Sequence, residues 1–180
     1  MADRQGRFKA VTVGRRGLEL IRPLVERFVE TGAGEWDTET LLRVAWDRLG
    51  TPLFRVWAVV REGSNEPLGF AAAQVQAGNS GPEVFVIAAY VQPGLPPGVG
   101  IGVLWEATRR WGRVMGCSRA AMRTHRGDEE GPTEPRAWAR LGFVYESTIL
   151  ACELQAELGR RVQSQSEVVP ADGAEEKSDG

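Results

Sequence analysis

Lysine is almost missing from this chain: of 22 basic residues only Lys9 and Lys177 are lysine, and 20 are arginine. The arginines are scattered, so the bias reads as a codon-level effect and carries no functional weight. Cysteine and histidine are scarce too, with Cys117, Cys152 and His125 the whole supply. Two cysteines make no disulfide framework, and with a single histidine they make no zinc cluster. No run approaches the ~20 apolar residues of a membrane span, and the start, Met1-Ala-Asp-Arg-Gln-Gly-Arg7, is no secretory signal. Basic excess is lacking as well, since 24 acidic residues leave a formal charge of −2. That balance removes the usual argument for a nucleic-acid or membrane-surface binder. The expectation is a soluble, cytoplasmic, metal-free protein.

What the chain does have is core material. Apolar residues make up 42% of 180, enough for one domain with a sizeable interior. That domain is expected over residues 1–156. From residue 157 the character changes to Arg160-Arg161, Gln163-Ser-Gln-Ser and an acidic stretch without aromatics. The segment from Gln163 carries −4 and residues 1–162 carry +2. Such a tail buries too little apolar surface to offset its ordering entropy, so disorder is expected there unless a partner holds it.

Within the domain, the period alternates between strand and helix. Lys9 to Arg16 reads as a first strand. Ile21, Leu24, Val25, Phe28 and Val29 line one helical face, with Pro23 expected in that helix's first turn. Asp37 can cap a second helix with Leu42, Ala45, Trp46 and Leu49 inward and Gly50 closing it. Runs over 54–61, 68–76 and 83–91, separated by Gly63-Ser-Asn-Glu-Pro67 and Gly78-Asn-Ser-Gly-Pro82, predict an antiparallel meander. A long helix follows from about Ile101 to Gly116, then a strand over 118–125 and a polar loop over 127–134. A short helix over 135–141 and one long strand over 143–154 complete the pattern. This order predicts an α/β three-layer fold, with a mixed, mostly antiparallel sheet and helices on both faces.

The most informative segment is Tyr90-Val-Gln-Pro-Gly-Leu-Pro-Pro-Gly-Val-Gly-Ile-Gly-Val-Leu104. A strand ends, a glycine-rich turn follows and a helix begins. Unpaired N–H groups and the positive end of the helix dipole favour an anion there. A P-loop would need Gly-Lys-Ser/Thr, but Val103 follows Gly102. A dinucleotide fold would need Gly-x-Gly-x-x-Gly after a first parallel strand, and this loop follows a meander. An ordinary strand-to-helix turn is the competing account.

The element order, with Leu68-Gly-Phe, Val91-x-Pro93, Gly98-x-Gly100-x-Gly102 and Leu141-Gly-Phe143, resembles the GNAT N-acetyltransferase superfamily. The resemblance is best over residues 54–154. It implies that acetyl-CoA is a co-substrate whose pyrophosphate sits on Gly98, Val99, Gly100, Ile101, Gly102 and Val103. It also implies that the pantetheine arm pairs with the splayed fourth strand around Ala88 to Val91. Tyr90 and Val91 are thus cofactor-binding candidates, one of their backbone N–H groups serving as oxyanion donor. A carboxylate on that strand commonly serves as base, and Glu83 is the strand's only acid, at the end away from the splay. A solvated carboxylate after a turn is the bland alternative.

Three positions depart from the family pattern. Pro97 stands where Arg or Gln is usual, removing both a side-chain donor and an N–H. Trp138 stands where a tyrosine would protonate the CoA thiolate, and Gly131 replaces the usual asparagine. His125 titrates in the useful range, but Arg123, Arg126 and Asp128 around it suit a solvated loop. Tyr90 and Tyr145 fall outside the usual acid position. Packing is the ordinary account of Trp46, Trp57, Trp105 and Trp111. Trp36 and Trp138, next to loops, could line an acceptor cleft or a partner interface.

Two functions follow. The first is an acetyl-CoA-dependent N-acetyltransferase acting on a small-molecule or protein amine. The second is a catalytically silent member serving as a structural or interaction module. An open sheet edge would allow a homodimer, and the tail would allow a protein partner.

Overall fold

The computed structural model describes residues 7–32, 36–123, 144–146 and 149–154. The expected helix over 135–141, Leu141-Gly-Phe143, His125, Gly131, Trp138 and the tail lie outside the described residues. Strands β1 (Phe8–Thr12), β2 (Phe54–Arg61), β3 (Pro67–Gly78), β4 (Gly81–Val91), β5 (Arg119–Arg123), β6 (Val144–Glu146) and β7 (Ile149–Glu153) form one sheet. Its order is β1-β2-β3-β4-β5-β7-β6, and only the β4–β5 pair is parallel. Helices α1 (Leu18–Glu30) and α2 (Thr38–Arg48) cover one face of the sheet, and α3 (Val99–Val114) covers the other. The three-layer, mostly antiparallel expectation holds.

Strand alternation sends Phe54, Val56, Phe70 and Ala72 to the α1/α2 face, and Trp57, Val59, Ala71 and Ala73 to the α3 face. On the α3 side the layers meet closely. A Cβ on Gly112 would lie 2.6 Å from Val84 Cγ2 and 2.9 Å from Leu154 Cδ1. Trp57 and Trp111 pack edge to face there with centroids 5.5 Å apart.

Four local expectations are corrected. The first strand ends at Thr12, and a 3-10 turn over Arg15–Gly17 leads into α1. Helix α1 therefore starts at Leu18, so Pro23 stands in its interior rather than its first turn. Pro23 is exposed, and so is Glu19, whose carbonyl its missing N–H would have bonded, so the lost bond falls on the solvent side of the helix rather than in the core. Trp46 does not point inward but is 50% exposed, because Leu41, Leu42, Ala45 and Leu49 already fill the buried stripe of α2. Arg15 lies over its ring at 5.6 Å and donates from Nε to the Trp46 carbonyl at 3.0 Å. The single last strand is two, β6 and β7, paired antiparallel with each other. The sequence between Glu146 and Ile149 contains no Gly or Pro to announce a break.

The helix cap is as expected: the Asp37 carboxylate accepts the Thr40 N–H at 2.8 Å, and its hydroxyl at 2.9 Å. These bonds, the backbone one foremost, hold the Asp37 carboxyl below the usual carboxylate range. A depressed folded-state value contributes stability above the unfolded-state value, which is lost as pH falls through the folded one. Asp37→Ala will lower the melting temperature at neutral pH, and its gap to wild type will close on acidification, as followed by circular dichroism. Gly112→Val will cost about 1–3 kcal/mol by overpacking against Val84 and Leu154, read from the denaturant midpoint.

Candidate functional site

The site begins with an irregularity in β4. Ala72 pairs with Ala88 but Ala73 pairs with Val86, so Ile87 is an extra residue, a bulge. The bulge resets the alternation. Val84 and Val86 face α3 before it; after it Ala89 and Val91 face α3, while Ala88 and Tyr90 face α1 and α2. Parallel pairing with β5 stops at the same place, its last pair being Val86 with Met122. The next β5 residue, Arg123, pairs with Ile149 of β7 and with no β4 residue. Beyond Val86, β4 is thus paired on one side only among the described residues.

The free side carries identifiable donors. The Gln92 N–H bonds the Leu68 carbonyl at 3.0 Å. Antiparallel alternation then commits the Tyr90 and Ala88 N–H groups to Phe70 and Ala72 of β3, and turns those of Ala89 and Val91 to the open side. Gly69 lets the two strands approach here, since a Cβ on it would lie 2.7 Å from the Tyr90 carbonyl oxygen.

The start of α3 is seated on this opening. Gly98 caps the helix in the left-handed conformation, φ 79°, which glycine adopts without strain. The Val99 N–H bonds Pro96 O at 3.1 Å and the Gly102 N–H bonds Gly98 O at 2.9 Å. Helix geometry leaves the Gly100 and Ile101 N–H groups without intrahelical acceptors. No acidic side chain stands in that first turn, so the donor set fits an anion. A Cβ on Gly100 would lie 2.6 Å from Val91 Cγ1 and 3.2 Å from Leu95 Cδ2. Gly100 therefore presses the helix start onto the one-sided end of β4, joining two of the expected candidate groups. Nothing lies within 4 Å of a Cβ on Gly98 or Gly102. Pro97 is exposed in the loop and adds no donor.

Tyr90 and Val91 adjoin the opening on opposite faces, but Glu83 does not reach it. It stands about 20 Å of strand from Tyr90, at about 3.3 Å per residue. Neither is it solvated, being 8% exposed. Its Oε1 accepts from Gln76 Nε2 at 2.9 Å, and Oε2 lies 3.5 Å from Arg119. Gln76 accepts in turn from Gln74 at 3.2 Å, and Gln74 from Arg48. A polar ladder thus crosses from α2 to β5 with every donor pointing toward Glu83. Cys117 is fully buried, and burial, with the Glu83 charge adding, pushes its thiol up.

Gly69 entered the sequence reading only as part of Leu68-Gly-Phe and Ala89 only as part of the run Ala88 to Val91, while Ile87 and Gly112 were missed. Glycine inside a helix pattern was the one signal at 112; an apolar bulge residue leaves none.

No family model matches the sequence, and no curated protein does. Solved structures match. A protein from Desulfovibrio desulfuricans assigned to the GNAT family of acetyltransferases aligns with TM-score 0.61 and 15% identity, over 82% of this chain and 99% of its own. The fold is the GNAT acetyltransferase fold. A predicted acetyltransferase from Clostridium acetobutylicum, solved with acetyl-CoA, aligns at TM-score 0.59 and 14% identity, over 78% of this chain and 92% of its own. The aminoglycoside acetyltransferase AAC(6')-Iy, holding a bisubstrate analogue of CoA and monomethyl-acetylneamine, aligns at 0.54 and 17%, over 97% and 99%. No described helix is long and apolar enough to cross a membrane.

Glu83→Ala will leave Gln76 and Arg119 facing a void and cost about 1–3 kcal/mol of stability, measured by chemical denaturation.

Proposed function

We propose that the chain is an acetyl-CoA-dependent N-acetyltransferase. The observation that carries the reading is the α3 start, held by Gly100 on the Val91 side chain where β4 has no β5 partner among the described residues. Two sets of free N–H donors meet there, one at a helix terminus and one along a strand edge. Gly98, Val99, Gly100, Ile101, Gly102 and Val103 form the pyrophosphate cradle in this reading. Tyr90 and Val91 flank the pantetheine channel, and the Ala89 and Val91 N–H groups are its backbone donors. Acetyl-CoA supplies an acyl carbon activated as a thioester. The Val91 N–H, fixed by the strand, stabilises negative charge on the acyl oxygen without reorganisation. The acceptor is an amine of a small molecule or a protein, in keeping with the aminoglycoside analogue in one structural neighbour. Glu83 is assigned to the polar ladder rather than to proton transfer, because its carboxylate is engaged at the far end of β4.

Pro97 favours a second reading, a silent module that has kept the fold, because it removes a donor beside the cradle. Acetyl-CoA at 100 times its dissociation constant will stabilise the protein by about 2.7 kcal/mol, a rise of several degrees in the melting temperature. Ile101→Glu places a carboxylate three residues into α3, where it reaches back to the free N–H groups without harming the helix. That variant will keep the unliganded melting temperature and lose the shift. Gly100→Asp is the poorer probe, since its Cβ would also strike Val91. Wild type without a shift would leave the silent module.

A further inference from the structure

We propose that the acceptor is a lone primary amine on an aromatic or aliphatic skeleton, held by Val29, Trp36 and Tyr90, and not a polycation. This inference rests on the acetyltransferase reading above. In that reading the cradle commits acetyl-CoA to the α3 face of the opening, which leaves the α1/α2 face to the acceptor. The course of the two helices decides what stands there. Just before α1, Arg15 bonds the Trp46 carbonyl, and Arg48 at the end of α2 bonds Gln74, whose β4 partner Phe85 precedes the bulge. Near the end of α1, Phe28 packs edge to face on Phe70 at 5.9 Å, and Phe70 is the register partner of Tyr90, beyond the bulge. Helix α1 therefore runs toward the opening. Arg22 of α1 binds Glu39 of α2, so α2 runs back alongside α1, and Trp36, just ahead of α2, lies toward the Tyr90 end.

The side chains at that end are apolar. Val29, Trp36, Ile87 and Tyr90 pack half-buried against the cluster beneath α1 and α2, each keeping surface to offer. No carboxylate is among them. Glu26 and Glu30 of α1, and Glu62 and Glu66 after β2, are exposed, and Asp37 serves the α2 cap. Glu83, the one buried acid among the described residues, is engaged at the other end of β4. A second ammonium group entering this face would shed water without gaining a counter-charge. Aromatic or aliphatic surface is what the face can bury. The same desolvation favours the reacting amine as its free base, so the distance of Glu83 costs the reaction nothing. The free-base nitrogen bonds the acyl carbon, the carbon–sulfur bond breaks with its electron pair on sulfur, and a proton passes from nitrogen to solvent.

The test follows thiol release from acetyl-CoA with 2-phenylethylamine, hexylamine, spermidine and kanamycin. Wild type will use the first two with a kcat/KM about tenfold or more above that of the two polycations. Trp36→Ala will raise the KM for 2-phenylethylamine about tenfold, Trp36→Phe will restore it, and both will keep the melting shift with acetyl-CoA. The wild-type comparison needs no variant and decides the class by itself. A preference for kanamycin or spermidine overturns the acceptor assignment and spares the acetyltransferase reading. An unchanged KM in a folded Trp36→Ala overturns the role of Trp36. Release with none of the four amines, while acetyl-CoA still raises the melting temperature, overturns the acceptor assignment alone. Neither release nor a melting shift overturns both.

Discussion

Everything at the site depends on how closely α3 approaches β4. Two glycines set that distance: Gly100, whose Cβ would meet Val91, and Gly112, whose Cβ would meet Val84. Both contacts are shorter than a β-carbon tolerates, so any other residue at these positions must displace the helix or the strand. Gly100 and Gly112 touch β4 on either side of the bulge. The helix is thereby clamped along the strand rather than resting on one end of it, and its unpaired N–H groups are held over the opening.

The bulge converts that clamped layer into a site with two sides. An extra residue in one strand reverses which face each later side chain occupies. Here it turns Val91 toward α3 and Tyr90 toward the opposite layer. Among the described residues β4 has no β5 partner beyond the same point, which leaves its outward backbone donors without a strand partner. Backbone donors and an aromatic ring on the far face therefore occur together. Toward the start of β4, where β5 is still paired, the sheet is closed by side chains instead. Glu83, Gln76, Gln74 and their arginines satisfy one another across three elements and α2, in the manner of a hydrogen-bond chain whose members strengthen each other.

Much of the fold was legible along the chain. The meander, the Asp37 cap and the glycine-rich turn into a helix each follow from local chemistry, so they appear in sequence and structure alike. The errors have a common origin. The spacing of Trp46 matches the inward stripe, but a face holds only so much volume, and Leu41, Leu42 and Ala45 fill it. Proline costs least at a helix start, yet exposure on the solvent side makes Pro23 tolerable inside α1. The division of the last strand into β6 and β7 has no Gly or Pro between Glu146 and Ile149 to announce it.

The sequence by itself determined the order of elements from β1 to β5, the three-layer class and the place of the glycine-rich turn into α3, because periodicity, caps and glycines act over a few residues. Only the tertiary structure decided that β4 bulges at Ile87, that Gly100 rests on Val91, and that Glu83 is bound into a ladder away from the opening. Each of these depends on pairing or packing between segments far apart in the chain. Register and close approach are properties of two surfaces together, and neither surface alone carries the information.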